Sequence, residues 1–284
     1  MTLLVLFRVV LSVSANAIQK RLLKDRAGIS ITWILTYGLI LAPAFALALL
    51  GGFPSEPAFW RDSLLGGGLD ALGNIAMVAA LRSTDLSVFG PLNAFRPIIA
   101  LFLGWVFLGE APTISGIGGI VITVGGAVIL LDRKQGNAGE FRWKPLALRA
   151  LGLSLGVFGA VFLKRAASLG TAQATVAAWT VCGLLALLCY SVLTEAGMVN
   201  KLQGDFRAHR AWLLAHAATF LLMQILTVRI FQTTLLAYSF VFFQLGMVLQ
   251  VFVGRFIFDE PAFGRRVLAA IIMAAGSFLI LWKG

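Results

Sequence analysis

Three ionisable residues, Arg8, Asp70 and Arg96, fall inside stretches otherwise built from apolar side chains. A charge at the centre of a hydrocarbon layer costs at least ~2.5–3.5 kcal/mol, so residues of this kind normally face a cavity and have partners. Asp70 lies 14 residues before Thr84, and Arg96 lies 12 after it. If a short turn around Thr84 joins two helices, a rise of ~1.5 Å per residue puts the two at nearly the same depth, close enough to pair. Arg8, counted from the opposite face, lies slightly shallower than Asp70. Two cations around one anion leave a surplus positive charge, which a planar guanidinium fork can offer to a carboxylate or phosphate. The bland alternative is a structural Asp70–Arg96 pair, with Arg8 reaching toward the surface. Asp70 is also a candidate carrier of a coupling proton. Desolvation favours a protonated carboxyl and an adjacent guanidinium favours the carboxylate, and the sequence leaves that balance open.

A second tier of residues is uncharged. Asn74 and Gln224 hold equivalent places in a repeat of 150 residues, both inside apolar stretches. Asn16, Asn93, Gln244 and Gln250 add hydrogen-bonding groups, and Trp33, Tyr37, Trp179 and Tyr238 are candidate aromatic walls of a binding cavity. Each of these serves equally well as an interhelical hydrogen bond or packing contact. His216 is either a proton relay or a satisfied histidine near a helix end. The aromatic run Phe240, Phe242 and Phe243 is expected to face lipid or packing neighbours and not to define a pocket.

The elements that position these residues follow from composition. Hydrophobic residues make up 60% of the chain and charged residues 12%, and the mean hydropathy is +0.93. A water-soluble domain could not carry these values without large exposed apolar patches. Runs of about 20 apolar residues fit helices crossing a bilayer, and the period-2 alternation of a membrane barrel is absent. The expected fold is therefore an all-α integral membrane protein with ten spans, near 2–21, 30–50, 61–82, 86–109, 114–131, 146–165, 172–194, 211–233, 236–258 and 264–282. Residues 86–131 return as 236–281: Leu86 matches Leu236, Gly104 matches Gly254, Glu110 matches Glu260 and Gly126 matches Gly276. The chain thus divides into a first five-helix repeat, 1–131, a linker, 132–145, and a second repeat, 146–284. Five is odd, so the second copy enters from the other side and the repeats are inverted, as is common in transporters.

Net charge is +11, yet the basic residues sit at helix ends and the connections are too short for a nucleic-acid-binding domain. Of the 23 Lys and Arg residues, 16 fall after odd-numbered spans and five on the opposite side. The positive-inside rule then puts the first set in the cytoplasm and both termini outside. A signal peptide over Leu3–Val13 is disfavoured, because no basic residue precedes the run and Arg8 interrupts it. Trp60, Trp143, Trp212 and Trp282 are expected as interface anchors. Cys182 and Cys189 imply neither a disulfide nor a metal. An enzyme is not expected, since no H-E-x-x-H zinc site, no phosphate loop and no nucleophile with a nearby His occurs inside a span. No cofactor is expected either, and uphill transport would draw on an ion gradient or on exchange. Glu110 and Glu260 are expected to cap the helices that follow them, with a gating role as the alternative. Gly116, Gly118, Gly119, Gly125 and Gly126 in the fifth span, with Ala274, Ala275 and Gly276 in the tenth, are expected to serve packing by letting helices approach closely.

Two five-helix repeats, each with an acidic break (Gly109-Glu110, Asp259-Glu260) before a fifth helix rich in small residues, resemble the ten-helix EamA-type members of the drug/metabolite transporter superfamily. The resemblance implies a central cavity lined by helices one to four and six to nine, with five and ten outside it. It implies cytoplasmic termini, the reverse of the charge count. The expected function is secondary active transport of small polar metabolites across the inner membrane, as an exporter of amino acids or related compounds that works by alternating access. Open alternatives are an uptake permease, a lipid-linked sugar flippase, and a membrane sensor or scaffold that transports nothing. The expected partners are the small-molecule substrate, the lipid bilayer and a coupling proton.

Overall fold

Long apolar runs broken by glycine, proline and charge fold as helices, because only a helix satisfies every backbone group within one segment of such composition. The structure, a computed structural model, describes residues 2–24, 28–81, 95–129, 143–194, 197–258 and 263–283. Among the described residues there are ten helices and no strand. They are α1 (Thr2–Lys24), α2 (Ile29–Gly51), α3 (Pro57–Leu81), α4 (Arg96–Leu108), α5 (Ile114–Ile129), α6 (Trp143–Leu169), α7 (Ala172–Thr194), α8 (Met198–Thr233), α9 (Leu236–Phe258) and α10 (Phe263–Lys283). Each overlaps one expected span, and the part of the fourth span over 86–94 lies outside the described residues. Five of them contain windows long and apolar enough to cross a membrane, in α1, α2, α6, α7 and α8, and shorter apolar segments lie in α4, α5, α9 and α10.

Two boundaries differ from the expectation for local reasons. α3 starts at Pro57, whose fixed φ and missing N–H suit a first helical turn. α8 starts at Met198, well before the apolar run, and bends at His209 (φ −125°, ψ 18°) where its polar first part meets the apolar remainder. Asp205 in that polar part accepts a 3.1 Å hydrogen bond from the Gly28 N–H at the start of α2.

Helices pair mainly across the two halves of the chain. The most extensive contacts are α3 with α6 and α5 with α10, followed by α2 with α7, α1 with α8 and α3 with α7, then by α9 with α10 within the second half, and by α2 with α8. Glycine makes the first two possible. A Cβ on Gly159 would stand 2.7 Å from the Gly66 carbonyl and 2.9 Å from the Asp70 nitrogen, and one on Gly73 would stand 2.7 Å from the Gly152 carbonyl. α3 and α6 therefore touch backbone to backbone. α5 and α10 do the same, since a Cβ on Gly119 would stand 2.7 Å from the Gly276 carbonyl and the converse distance is also 2.7 Å. Gly126 is equally close to α10, whereas Gly118 and Gly125 are not, so only some of the expected small residues lie in that contact. Trp60 and Trp212 are partly exposed and Trp282 is exposed, as anchors would be; the Trp143 side chain lies outside the described residues. Cys182 and Cys189 are free thiols.

Gly159→Ala is expected to lower stability by ~1–3 kcal/mol, as overpacking does, because the atoms in its way are backbone. Gly68→Ala, with nothing within 4 Å of its Cβ, is expected to be near neutral. Thermal unfolding of the purified variants in detergent checks the contrast.

Candidate functional site

A central cavity of about 230 Å³ lies inside the bundle. Arg8, Trp33, Tyr37, Asp70, Asn74, Arg96, Trp179 and Gln224 all line it. The lining comes from α1 to α4 and from α6 to α9, and neither α5 nor α10 contributes.

Asp70 is set by the α3–α6 contact, and its carboxylate is then fixed by two donors. Trp179 Nε1 donates to Oδ2 over 2.9 Å, and Asn74 Nδ2, one helical turn on, donates to the same oxygen over 3.1 Å. Among the described residues no hydrogen bond or ion pair joins Asp70 to Arg96. The expected pair is therefore replaced by an α3–α7 tie, because equal depth does not make two side chains face each other. Oδ1 turns toward Gly156, where an added Cβ would lie 3.6 Å away.

Arg8 is buried and does not reach the surface. Its Nε donates to Thr227 Oγ1 on α8 over 3.1 Å, and its guanidinium lies 3.6 Å from the centre of the Phe243 ring on α9. Such stacking holds a guanidinium flat while leaving its remaining N–H groups free to bind. Arg96 begins α4, ahead of Pro97, and its buried Nε has no hydrogen-bond partner among the described residues. The cavity thus holds one anion and two cations on different helices.

Aromatic rings close the α2–α7–α8 side. Tyr37 and Trp179 are 5.1 Å apart, Trp33 and Phe220 5.3 Å, and Trp179 and Phe220 6.0 Å between ring centres. His216 is buried behind this cluster, off the cavity. Thr36 Oγ1 gives its proton to the Thr32 carbonyl over 2.8 Å, so the 2.9 Å contact with His216 assigns the imidazole proton to Nδ1 as donor.

Other expected residues lie elsewhere. Tyr238 belongs to a second cavity, and its hydroxyl accepts a 3.1 Å hydrogen bond from the Thr113 N–H. Gln244 is buried in α9 away from the central cavity. Asn16 is exposed. Asn93, Glu260 and the Gln250 side chain lie outside the described residues. Phe240 and Phe243 line the central cavity, which corrects the expectation that this run only packs or faces lipid. Thr227, Phe220 and Met223 were not anticipated. The 3–4 spacing of Phe220, Met223, Gln224 and Thr227 on α8 is the signal that could have found them.

Glu110 is a further correction. The N-terminus of α5 is closed by Thr113, whose Oγ1 accepts from the Gly116 N–H over 3.0 Å. Glu110 instead reaches the other half of the chain, where its Oε2 accepts from the Leu236 N–H at the start of α9 over 2.7 Å and its Oε1 pairs with Lys164 at the end of α6. The cause is local. α4 ends on Gly109 in the left-handed region (φ 66°), the Glu110 N–H returns to the Gly104 carbonyl over 3.1 Å, and Gly104 leaves room for the carboxylate. A Cβ there would stand 2.9 Å from Oε2.

Residues 1–132 match the model of the EamA-like transporter family, which falls within the drug/metabolite transporter superfamily. That family is one of transporters, not enzymes, and the match together with the long apolar helices marks a multi-pass membrane protein. No curated protein matches the sequence. A solved structure, described only as a crystal structure of a protein, has a TM-score of 0.66 with 15% identity, over 98% of this chain and 99% of that one. At that identity the likeness shows the fold alone.

Trp179→Phe removes one of two donors to a buried carboxylate and is expected to cost ~1.5–3 kcal/mol of stability. Thermal unfolding checks this, and Tyr37→Phe, which leaves both donors in place, should cost less.

Proposed function

We propose that the chain is a secondary active transporter that carries small polar metabolites across the inner membrane, exporting amino acids or related compounds. Residues 1–131 and 146–284 form two inverted five-helix repeats around the central cavity, with 132–145 as the link, and all ten helices cross the bilayer. The helix pairs support this arrangement, because shifting by five helices turns α3–α6 into α8–α1, α3–α7 into α8–α2, and α4–α6 into α9–α1, and each of these pairs is in contact. The basic loops face the cytoplasm and both termini lie outside.

The observation that carries the proposal is the cavity itself: three charges line it, Arg8 buried and Asp70 and Arg96 half-buried, and one buried guanidinium nitrogen has no partner among the described residues, in a chain that is 60% hydrophobic. Such groups are costly in hydrocarbon unless something polar meets them. Arg96, with Arg8 behind it, receives the substrate carboxylate. Asp70 Oδ1 receives its ammonium group or a coupling proton. Rocking one repeat against the other exposes the cavity to each side in turn.

Proteoliposomes holding wild type or Arg96→Gln test this with a panel of amino acids and organic anions, with and without an imposed pH gradient. Wild type is expected to accumulate a subset of the panel, and Arg96→Gln to lose at least ~90% of the rate while remaining folded. Folded wild type that moves no panel member under either condition would overturn the reading in favour of a flippase or scaffold.

A further inference from the structure

The second cavity, about 580 Å³, lies at the end of the bundle where the α8–α9 turn meets the α4–α5 connection. Its lining includes Ala111, Thr113, Lys164, Thr234 and Tyr238. Two helices separate it from the central cavity. On α9, Phe240 and Phe243 face the central cavity while Tyr238 and Phe242 face the second. On α6, Leu163 lines the central cavity and the next residue, Lys164, lines the second. The same two helices thus line both cavities, and α6 and α9 pack only sparsely against each other.

We propose that Glu110 and Lys164 form a releasable latch across this partition, and that opening it joins the central cavity to the second one as the substrate's passage to the α8–α9 face. This rests on the central cavity being the transport site. Both latch residues act on the same turn. Glu110 Oε2 holds the Leu236 N–H, Lys164 donates to the Thr234 carbonyl, and the two side chains pair with each other. Leu236 precedes Phe240 by four residues, so the clamp sits about one turn, ~6 Å, from the cavity wall. The two side chains are 11% and 17% exposed, buried enough to exclude bulk water and close enough to it to be hydrated once apart. Apolar packing here would have no favourable open state facing water, whereas a neutral ion pair exchanges its partner for solvent. Both arrangements are then available to one seam, as a two-state gate requires.

Side-specific labelling tests the latch. In a background with Cys182 and Cys189 replaced by serine, Ala160→Cys in the central cavity reports access, and Ala111→Cys in the second cavity identifies the side of the vesicle. An impermeant thiosulfonate added from that side is expected to label Ala160→Cys at least ~10-fold faster in Glu110→Gln, which keeps an acceptor for Leu236 but loses the ion pair, and in Lys164→Met. Arg61→Gln, which removes a different ion pair (Arg61–Asp62, 2.9 Å), should leave the rate unchanged. Gly104→Ala, which displaces the Glu110 carboxylate without altering charge, gives an independent variant and should also accelerate labelling. Equal rates from that side in folded Glu110→Gln, Lys164→Met and Gly104→Ala would overturn the latch. Labelling needs no transported compound, so this failure would leave the transport reading standing, whereas failed uptake would remove the passage's substrate while the labelling rates still report whether the pair opens.

Discussion

The backbone contact between α3 and α6 is the constraint on which the cavity depends. Gly66 and Gly73 on one helix meet Gly152, Gly156 and Gly159 on the other with no side chain between them. In lipid there is no hydrophobic drive for helices to associate, so close approach and its dispersion contacts carry the stability. The same contact fixes the depth and direction of Asp70, whose backbone nitrogen lies within that interface. It also leaves the space beside Gly156 into which Oδ1 turns. A carboxylate is thus presented to the cavity by glycines that never touch a ligand.

The polar groups then divide by helix. The anion belongs to α3 and, through Trp179, to α7. Arg8 belongs to α1 and is held by α8 and α9, and Arg96 belongs to α4. Because no direct hydrogen bond or ion pair joins the cations to Asp70 among the described residues, the anion and Arg96 attract each other across the cavity without closing into a contact pair. Aromatic rings stand beside the anionic pole and Phe243 lies under a cationic one.

Much of this was legible from spacing. Counting residues from turns put Asp70 and Arg96 at nearly one depth with Arg8 a few residues shallower, and the 150-residue repeat gave Asn74 and Gln224 equivalent places. Depth follows from a constant rise per residue, so a sequence carries it well. Rotation about the helix axis is different. In a bundle this apolar, no polar face marks which side turns inward. Phe240, Phe242 and Phe243 read as one run in the sequence, and only the structure shows Phe240 and Phe243 facing the central cavity while Tyr238 and Phe242 face a separate one. The partners of Asp70 were hidden for the same reason, since Trp179 is 109 positions away and its indole N–H has no signature beyond its type. Glu110 was misassigned because nearness in sequence favoured the next helix. Gly109 reverses the chain, and Gly104 gives the carboxylate a path to the other half.

Hydrogen-bond capacity separates what holds from what binds. Both oxygens of Glu110 are used, one by Leu236 and one by Lys164, and Lys164 is used again by Thr234. Removing any member leaves another partly buried and unmet, which is costly, so that cluster resists opening until water can replace the lost partner. In the central cavity the reverse holds. Trp179 and Asn74 both donate to Oδ2 of Asp70, and among the described residues Oδ1 and the Nε of Arg96 have no partner. Unused capacity at two opposite charges suits a polar molecule that brings a donor to one and an acceptor to the other, as the proposed transport site requires. A satisfied cluster beside a less satisfied cavity is how the proposed gate and the proposed binding site differ while both are built from the same few polar residues.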